Sequence, residues 1–268
     1  MAARRLVRRF GAILAMVLVA ATPGWAQREH FQLKVGAGYD KGDFGTSATT
    51  TQTAYAPVTL RYLGERFDVG VTGSFIYLDS PEDVTIVDGR PTITGQPTGQ
   101  DQVAGIGDTV IRARYFLLDD PGPGSYYGGL APFIKLKLPT GDEDRGLGTG
   151  EYDVGVGLEF DKQLGDVIFI FGDISYTFMG DPPDQNFRDR PGASLGLGAR
   201  LGTLTASMML DWRRALLSGD DDPLELLVAL VVKASPTTTI APYAFFGLTD
   251  GSPDWGLGFE VSYRFGRW

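Results

Sequence analysis

Apolar and polar residues alternate without exception from Glu151 to Phe160. The apolar positions are Tyr152, Val154, Val156, Leu158 and Phe160, and carboxylates and glycines fill the positions between them. This two-residue period predicts a β-strand with one apolar and one polar face. The glycine-rich run before it, Gly141 to Gly150, lacks the lysine of a phosphate loop and the spacing of a dinucleotide or calcium loop. It is therefore predicted to connect strands rather than to hold phosphate.

The same alternation recurs along the chain and predicts twelve strands. Each has the length of about 8 to 14 residues that a tilted membrane-spanning strand needs. The predicted strands are Phe31–Tyr39, Thr53–Tyr62, Phe67–Leu78, Gly105–Leu117, Tyr127–Leu138, Glu151–Phe160, Val167–Phe178, Gly192–Leu201, Leu204–Arg213, Leu224–Ala234, Thr239–Phe246 and Trp255–Phe265.

The connections between these strands alternate between long and short. The longest odd-numbered connection covers residues 79–104, whereas an even-numbered one, 202–203, is a tight turn. Outer-membrane barrels show this asymmetry, and an even strand number places both termini in the periplasm. A soluble β-sandwich or propeller would explain the alternation but not the asymmetry. The predicted fold is an all-β, antiparallel transmembrane barrel of about 12 strands over residues 27–268.

The first residues predict export. Four arginines, Arg4, Arg5, Arg8 and Arg9, precede the apolar run 10–21, and small residues stand at Gly24 and Ala26. This pattern is typical of a secretory signal peptide, here residues 1–26, and the apolar run is short for an uncleaved membrane anchor. With the predicted barrel, it indicates the outer membrane of a Gram-negative bacterium.

Composition excludes several classes of function. The chain has no cysteine, so disulfides, thiolate metal sites and a lipoprotein's acylated cysteine are excluded. Its net charge of −9 makes nucleic acid an unsuitable partner. The single histidine, His30, stands at the base of the first predicted strand, far from any serine at the outer rim. A serine hydrolase is therefore not expected, and neither a cofactor nor a metal is predicted.

Several motifs resemble a known family. A strand opens with Gly105-x-Gly107-Asp108, and "RARYFLL" at 112–118, "APF" at 131–133, "LPTGD" at 138–142 and "GLGTG" at 146–150 follow, with Asp153 soon after. These segments resemble the outer-membrane transporter family named for the MetA pathway of phenol degradation. The resemblance is clearest over residues 105–160. It implies an outer-membrane barrel that passes small molecules, including aromatic or other hydrophobic compounds, and it supplies no catalytic residue.

The polar faces of the central strands give the candidate lumen residues. These are Arg112, Arg114, Lys135, Lys137, Asp108, Glu151, Asp153, Glu159 and Asp173. Because an unpaired buried charge is costly, they form either a lattice of salt bridges or a pore lining that steers anions and polar solutes. We expect the four basic residues on one wall and the carboxylates of the next strands facing them. A twelve-stranded barrel is also expected to have a narrow or partly plugged pore.

The ends of the strands suggest further partners. The long connections are rich in carboxylates, such as Asp142, Glu143 and Asp144, which either form a solvated crown or bind divalent cations that bridge to lipopolysaccharide. The C-terminal aromatic Trp268 is the kind of residue that the barrel-assembly machinery recognises, although it is out of phase with the last strand. In connection 79–104, Asp88-Gly89 predicts a small hairpin that either extends the barrel outward or folds in as a constriction.

Two functions remain open at this point. The first is a narrow channel or facilitator for small molecules, with lipid and lipopolysaccharide as its surroundings. The second is a non-conducting structural or adhesive barrel that acts through its acidic outer loops. Single-channel conductance separates the two, because only the first passes ions across a planar bilayer.

The signal-peptide assignment predicts cleavage between Ala26 and Gln27. The reason is the pair of small residues, Gly24 and Ala26, at positions −3 and −1 of that bond. Mass spectrometry of the protein purified from outer membranes is expected to give an N-terminus at Gln27. An intact segment from Arg4 to Ala26 in that fraction would contradict the assignment.

Overall fold

The computed structural model describes residues 30–43, 50–80, 84–87, 89–94, 102–183 and 185–266. The predicted signal peptide and Trp268 lie outside these residues. The strands are β1 His30–Asp43, β2 Thr50–Leu63, β3 Phe67–Asp79, β4 Val84–Val87, β5 Arg90–Ile93, β6 Gln102–Ile106, β7 Thr109–Tyr115, β8 Gly129–Leu138, β9 Asp153–Gln163, β10 Ile168–Phe178, β11 Arg190–Leu201, β12 Leu204–Arg213, β13 Leu224–Lys233, β14 Thr238–Gly247 and β15 Trp255–Phe265. No helix in the described part of the chain is long and apolar enough to cross a membrane.

The main sheet is a closed antiparallel barrel, as the alternation predicts. Each strand pairs with its neighbour along the chain, β15 pairs with β1, and β2 pairs with β3, so the ring has no open edge. The short strands β6 and β7 occupy one position together because both pair with β3. Twelve positions therefore complete the ring, and β4 and β5 form a separate two-stranded hairpin.

A β-bulge interrupts the strand predicted at Gly105–Leu117, so the prediction of one continuous strand is corrected to two short ones. Phe75 pairs with Ile106 and Thr72 pairs with Val110, so one extra residue lies between β6 and β7. At the break, Gly107 donates its N–H to the carbonyl of Ser74 at 2.9 Å. Such a bulge shifts the alternation of inward and outward side chains by one residue. Val103 of β6 has an odd number and Val110 of β7 an even one, and both are buried in the interior.

Other predicted boundaries move by a few residues. The strand predicted from Glu151 begins at Asp153, so Glu151 lies in the bend before β9 and not in the strand. The first strand extends past Tyr39 to Asp43 because Lys41 still pairs with Trp255. The predicted bounds Leu204–Arg213 and Trp255–Phe265 are those observed for β12 and β15.

The outward face of the barrel is apolar and exposed, as a lipid-facing surface requires. On β8, the Ile134 side chain is 51% exposed, whereas its neighbour Phe133 is buried in the interior. Each main-sheet strand places one or more large exposed apolar side chains on this face or at its rim, and examples are Val35, Leu60, Val71, Leu195 and Leu257. The predicted assignment of the apolar faces to the outside of the barrel is therefore confirmed.

The glycines of the interior face make room for aromatic rings from the adjacent strand. A Cβ on Gly157 would overlap the Phe133 ring, one on Gly196 the Phe171 ring, and one on Gly256 the Phe245 ring. Glycine in a strand marks such a close approach, and a ring that covers it restores packing. This pattern accounts for much of the high glycine content in the strands.

The register predicts that a charge at Ile134 is destabilising. Ile134→Arg places a cation on the lipid face in the middle of β8 and is expected to cost about 2 to 4 kcal/mol of unfolding free energy. Reversible urea unfolding in liposomes measures this loss, with Ile134→Leu as the matched control. An arginine variant as stable as the leucine variant would mean that this face does not meet lipid.

Candidate functional site: the lumen and its mouth

A continuous chain of ion pairs lines one side of the lumen. Asp68 on β3 accepts from both Arg61 of β2 and Arg114 of β7, and Glu159 on β9 accepts from both Arg112 and Arg114. The Arg114 Nη1 to Glu159 Oε2 distance is 2.6 Å. These five residues, which we call the charged wall, satisfy one another's charges at low exposure.

The charged wall differs in arrangement from the expected one. The carboxylates were expected to face the basic residues from the following strands, but Glu159 and Asp68 lie beside the arginines on the same side of the ring. Lys135 is half-buried next to Arg112, its pairing partner across β7 and β8. Asp173 instead accepts a hydrogen bond from Ser194 at 2.5 Å. The prediction that carboxylates face the basic residues across the lumen is therefore wrong.

A fully buried lysine holds the long loops to the barrel. The Lys137 side chain is 0% exposed, and its Nζ lies 3.1 Å from Asp108 Oδ2 and 2.7 Å from Asp153 Oδ2. It also donates to Thr149 Oγ1. The opposite oxygens of the two carboxylates accept backbone N–H groups, from Gly141 at 2.9 Å and Gly180 at 2.7 Å. We call Lys137, Asp108, Asp153 and Thr149 the Lys137 cluster.

The motifs that carried the family resemblance converge on this cluster. Asp108 ends Gly105-x-Gly107-Asp108, Gly141 belongs to "LPTGD" and Thr149 to "GLGTG". The glycine-rich loop is thus a connector that is fastened to the wall. Leu147, at its centre, is 0% exposed and packs where a Cβ on Gly105 would lie.

The hairpin predicted at Asp88-Gly89 folds inward and crosses the mouth of the barrel. Val84 and Ile86 of β4 pack against Ile76 and Leu78, which face inward on β3. At its turn, Gly89 adopts a φ of 71°, in the left-handed region that glycine tolerates. We call β4 and β5 the mouth hairpin, and the end of the barrel that it occupies is the end with the long loops.

The tip of the mouth hairpin reaches the opposite wall. Arg90 Nη2 lies 2.8 Å from Glu225 Oε2 of β13, and the Arg90 guanidinium carbon is 4.4 Å from the centre of the Phe245 ring of β14. In the ring, β13 is five positions from β3 in one direction and seven in the other. The hairpin therefore spans the mouth from wall to wall.

Strand β13 and Ala241 of β14 place apolar side chains on the side of the lumen opposite the charged wall. Leu227, Ala229 and Val231 of β13 and Ala241 of β14 face inward and are buried. Strand β13 stands six positions from β7 in the ring of twelve, and β7 carries Arg112 and Arg114. We call these four residues the apolar wall. Their burial means that side chains fill much of the lumen, so any passage is narrow.

The connection between β7 and β8, at the end where the termini lie, is pinned by Asp120. Its carboxylate accepts from Lys162 Nζ at 2.7 Å and from the backbone N–H groups of Gln163 and Gly122. Burial alone would raise the pKa of Asp120, but the Lys162 hydrogen bond and the two backbone N–H groups offset this effect, and the pKa lies below its usual range.

Strand parity predicts two further residues of the charged wall. Arg61 and Asp68 lie on the polar faces of predicted strands, so alternation places them in the lumen. Arg90 lies in a connection, and its partner Glu225 is remote in sequence, so no local pattern links them. No group of three or more His, Asp or Glu residues that could hold a metal occurs among the described residues, and divalent-cation binding by the loops stays a prediction.

Comparison with solved structures supports the fold. The COG4313 outer membrane channel from Pseudomonas putida F1 matches with a TM-score of 0.69 and 13% identity, over 91% of this chain and 99% of that one. The β domain of the Bordetella autotransporter BrkA matches with a TM-score of 0.53 and 12% identity, over 89% and 100%. The KdgM porin in complex with oligogalacturonate matches with a TM-score of 0.51 and 10% identity, over 88% and 99%.

No family model and no curated protein matches the sequence. The three structures share the barrel architecture with this chain at low identity. The chain is an outer-membrane-type β-barrel, as the strand pattern predicts.

The Lys137 cluster predicts an unusually large effect of one substitution. Lys137→Met leaves Asp108 and Asp153 buried without their cation and is expected to cost about 3 to 5 kcal/mol in urea unfolding. The matched control is Lys34→Met, which breaks the more exposed pair with Glu260 and is expected to cost clearly less. Equal losses would show that the cluster adds no more than an ordinary lumen pair.

Proposed function

We propose that the protein is a narrow outer-membrane channel or facilitator for small molecules. The observation that carries this proposal is the two-sided lumen, in which the charged wall faces the apolar wall across the ring. A barrel with a purely structural role has no need of such a division. Amphipathic solutes, with an apolar body and a polar group, fit it best.

The electrostatics of the charged wall support weak ion selectivity. Arg61, Arg112 and Arg114 supply three positive charges, and Asp68 and Glu159 supply two negative ones. Every charge of the wall has an opposite partner and the five residues together keep one net positive charge, so small neutral or weakly charged solutes are not repelled. Aromatic compounds suit the rings of Phe133, Phe169 and Phe171 on the interior face.

A second candidate is a non-conducting barrel that acts through its loops. The observation in its favour is the mouth hairpin, which is packed against the long loops. Contacts of the acidic loops with lipopolysaccharide, insertion by the barrel-assembly machinery and export with a cleaved signal peptide are parts of the proposal under either function.

The channel proposal predicts a change in ion selectivity. Replacing Arg112 and Arg114 with serine removes two lumen cations and leaves Glu159 unpaired, so the reversal potential in a salt gradient is expected to shift toward cations. Single-channel recording in planar bilayers measures both the conductance and this shift.

The matched control for this prediction is Arg66→Ser. Arg66 forms a pair with Asp119 that is exposed outside the lumen, at a distance of 3.7 Å, so its loss is expected to leave selectivity unchanged. A wild-type protein that never conducts, or a double variant with an unshifted reversal potential, would overturn the channel proposal and favour the structural barrel.

A further inference from the structure

We infer that the mouth hairpin is the gate of the barrel and that Arg90 is its latch. This inference rests on the proposed channel function. It concerns the hairpin β4–β5, which is separate from the barrel sheet, and its attachment to Glu225 on the far wall.

The barrel wall is complete without the hairpin. Strand β3 pairs with β2 on one side and with β6 and β7 on the other, so its ladder is filled. The strands β4 and β5 pair only with each other among the described residues. Displacement of the hairpin therefore breaks no hydrogen bond of the barrel, which can stay closed as a sheet while its mouth opens.

The hairpin is held in place mainly by side-chain packing and by few backbone hydrogen bonds to the rest of the protein. The Ile86 N–H donates to the carbonyl of Gly146 at 2.8 Å, which is a bond to a loop. Val87, at the end of β4, is 0% exposed and packs with Met179, Phe187 and Leu216. These three residues belong to the loops that follow β10 and β12. The closed state is thus an apolar core built from loops at the mouth.

In the ion pair at the tip of the hairpin, Glu225 has a second cationic partner, and this arrangement suits a latch. Glu225 accepts from Arg90 at 2.8 Å and also from Arg213 of β12 at 2.7 Å. When Arg90 leaves, Glu225 keeps a cationic partner on the adjacent strand, and the Arg90 guanidinium moves to water. Opening therefore leaves Glu225 paired with Arg213 in the wall, whereas the closed state gains a buried pair and a contact over Phe245.

This arrangement defines two packed states of one element. In the closed state the hairpin fills the mouth, and in the open state the space between the charged and apolar walls is continuous with the long-loop end. Arg90 is a positioning residue in this scheme, since it sets the balance between the states through the hairpin. Its removal is expected to favour the open state while the barrel remains intact.

The absence of cysteine makes the movement measurable. Val87→Cys introduces a single thiol that is buried when the hairpin is closed, and its reaction rate with a membrane-impermeant methanethiosulfonate reports opening. The rate is measured on the full barrel in liposomes, alone and combined with Arg90→Met. Heat-modifiable migration in gels checks that each variant is folded.

The Arg90→Met background is expected to raise the labelling rate at least about tenfold, because the latch pair is lost while Glu225 retains Arg213. The matched control is Lys34→Met, which breaks another lumen ion pair away from the hairpin and is expected to leave the rate unchanged. If Arg90→Met does not fold, Arg90→Lys replaces it and is expected to give a smaller rise.

The possible results separate the gate from the channel. An unchanged rate in the Arg90 variant, or an equal rise in the Lys34 control, overturns the gate. A selective rise in labelling together with a higher open probability in bilayer recordings supports both. A selective rise without any current keeps the hairpin movement and overturns the proposed channel function.

Discussion

The closed ladder of backbone hydrogen bonds is the constraint on which the rest of this structure depends. In the hydrocarbon of a membrane an unpaired N–H or carbonyl group costs several kcal/mol, at about the level of a lost hydrogen bond in an apolar solvent. Pairing of β15 with β1 removes the two edges that an open sheet would leave. Closure in turn fixes the face to which every side chain points.

Once the faces are fixed, the interior must satisfy its own charges. The charged wall does so through pairs shared between strands, and Arg114 joins Asp68 and Glu159 in one chain. The Lys137 cluster solves the same problem at the base of the long loops, where one ammonium serves two carboxylates. The side chains of the apolar wall opposite carry no charge and need no such partners.

Alternation predicted most of this fold because a period of two is a local property. Strands β12 and β15 begin and end where the pattern does, and Ile134 faces outward as its parity requires. The bulge at Gly107 and Asp108 was not predicted, since one extra residue shows only against the partner strand β3. Inward-facing charges were likewise predictable, but their pairs depend on the stagger of the strands, which local pattern does not contain.

The Lys137 cluster and the mouth hairpin are linked through one loop. The loop between β8 and β9 is fastened by Thr149 and Gly141 to the Lys137 cluster, and it presents the Gly146 carbonyl and the Leu147 side chain to β4. The seat of the hairpin is therefore anchored to the wall by buried ion pairs. The far end is held by the contacts of Arg90 with Glu225 and Phe245 and by the packing of Val87 against residues of the long loops. Release of the far end must therefore break the Arg90 contacts and the Val87 packing together, while the anchored seat can hold the register of the hairpin.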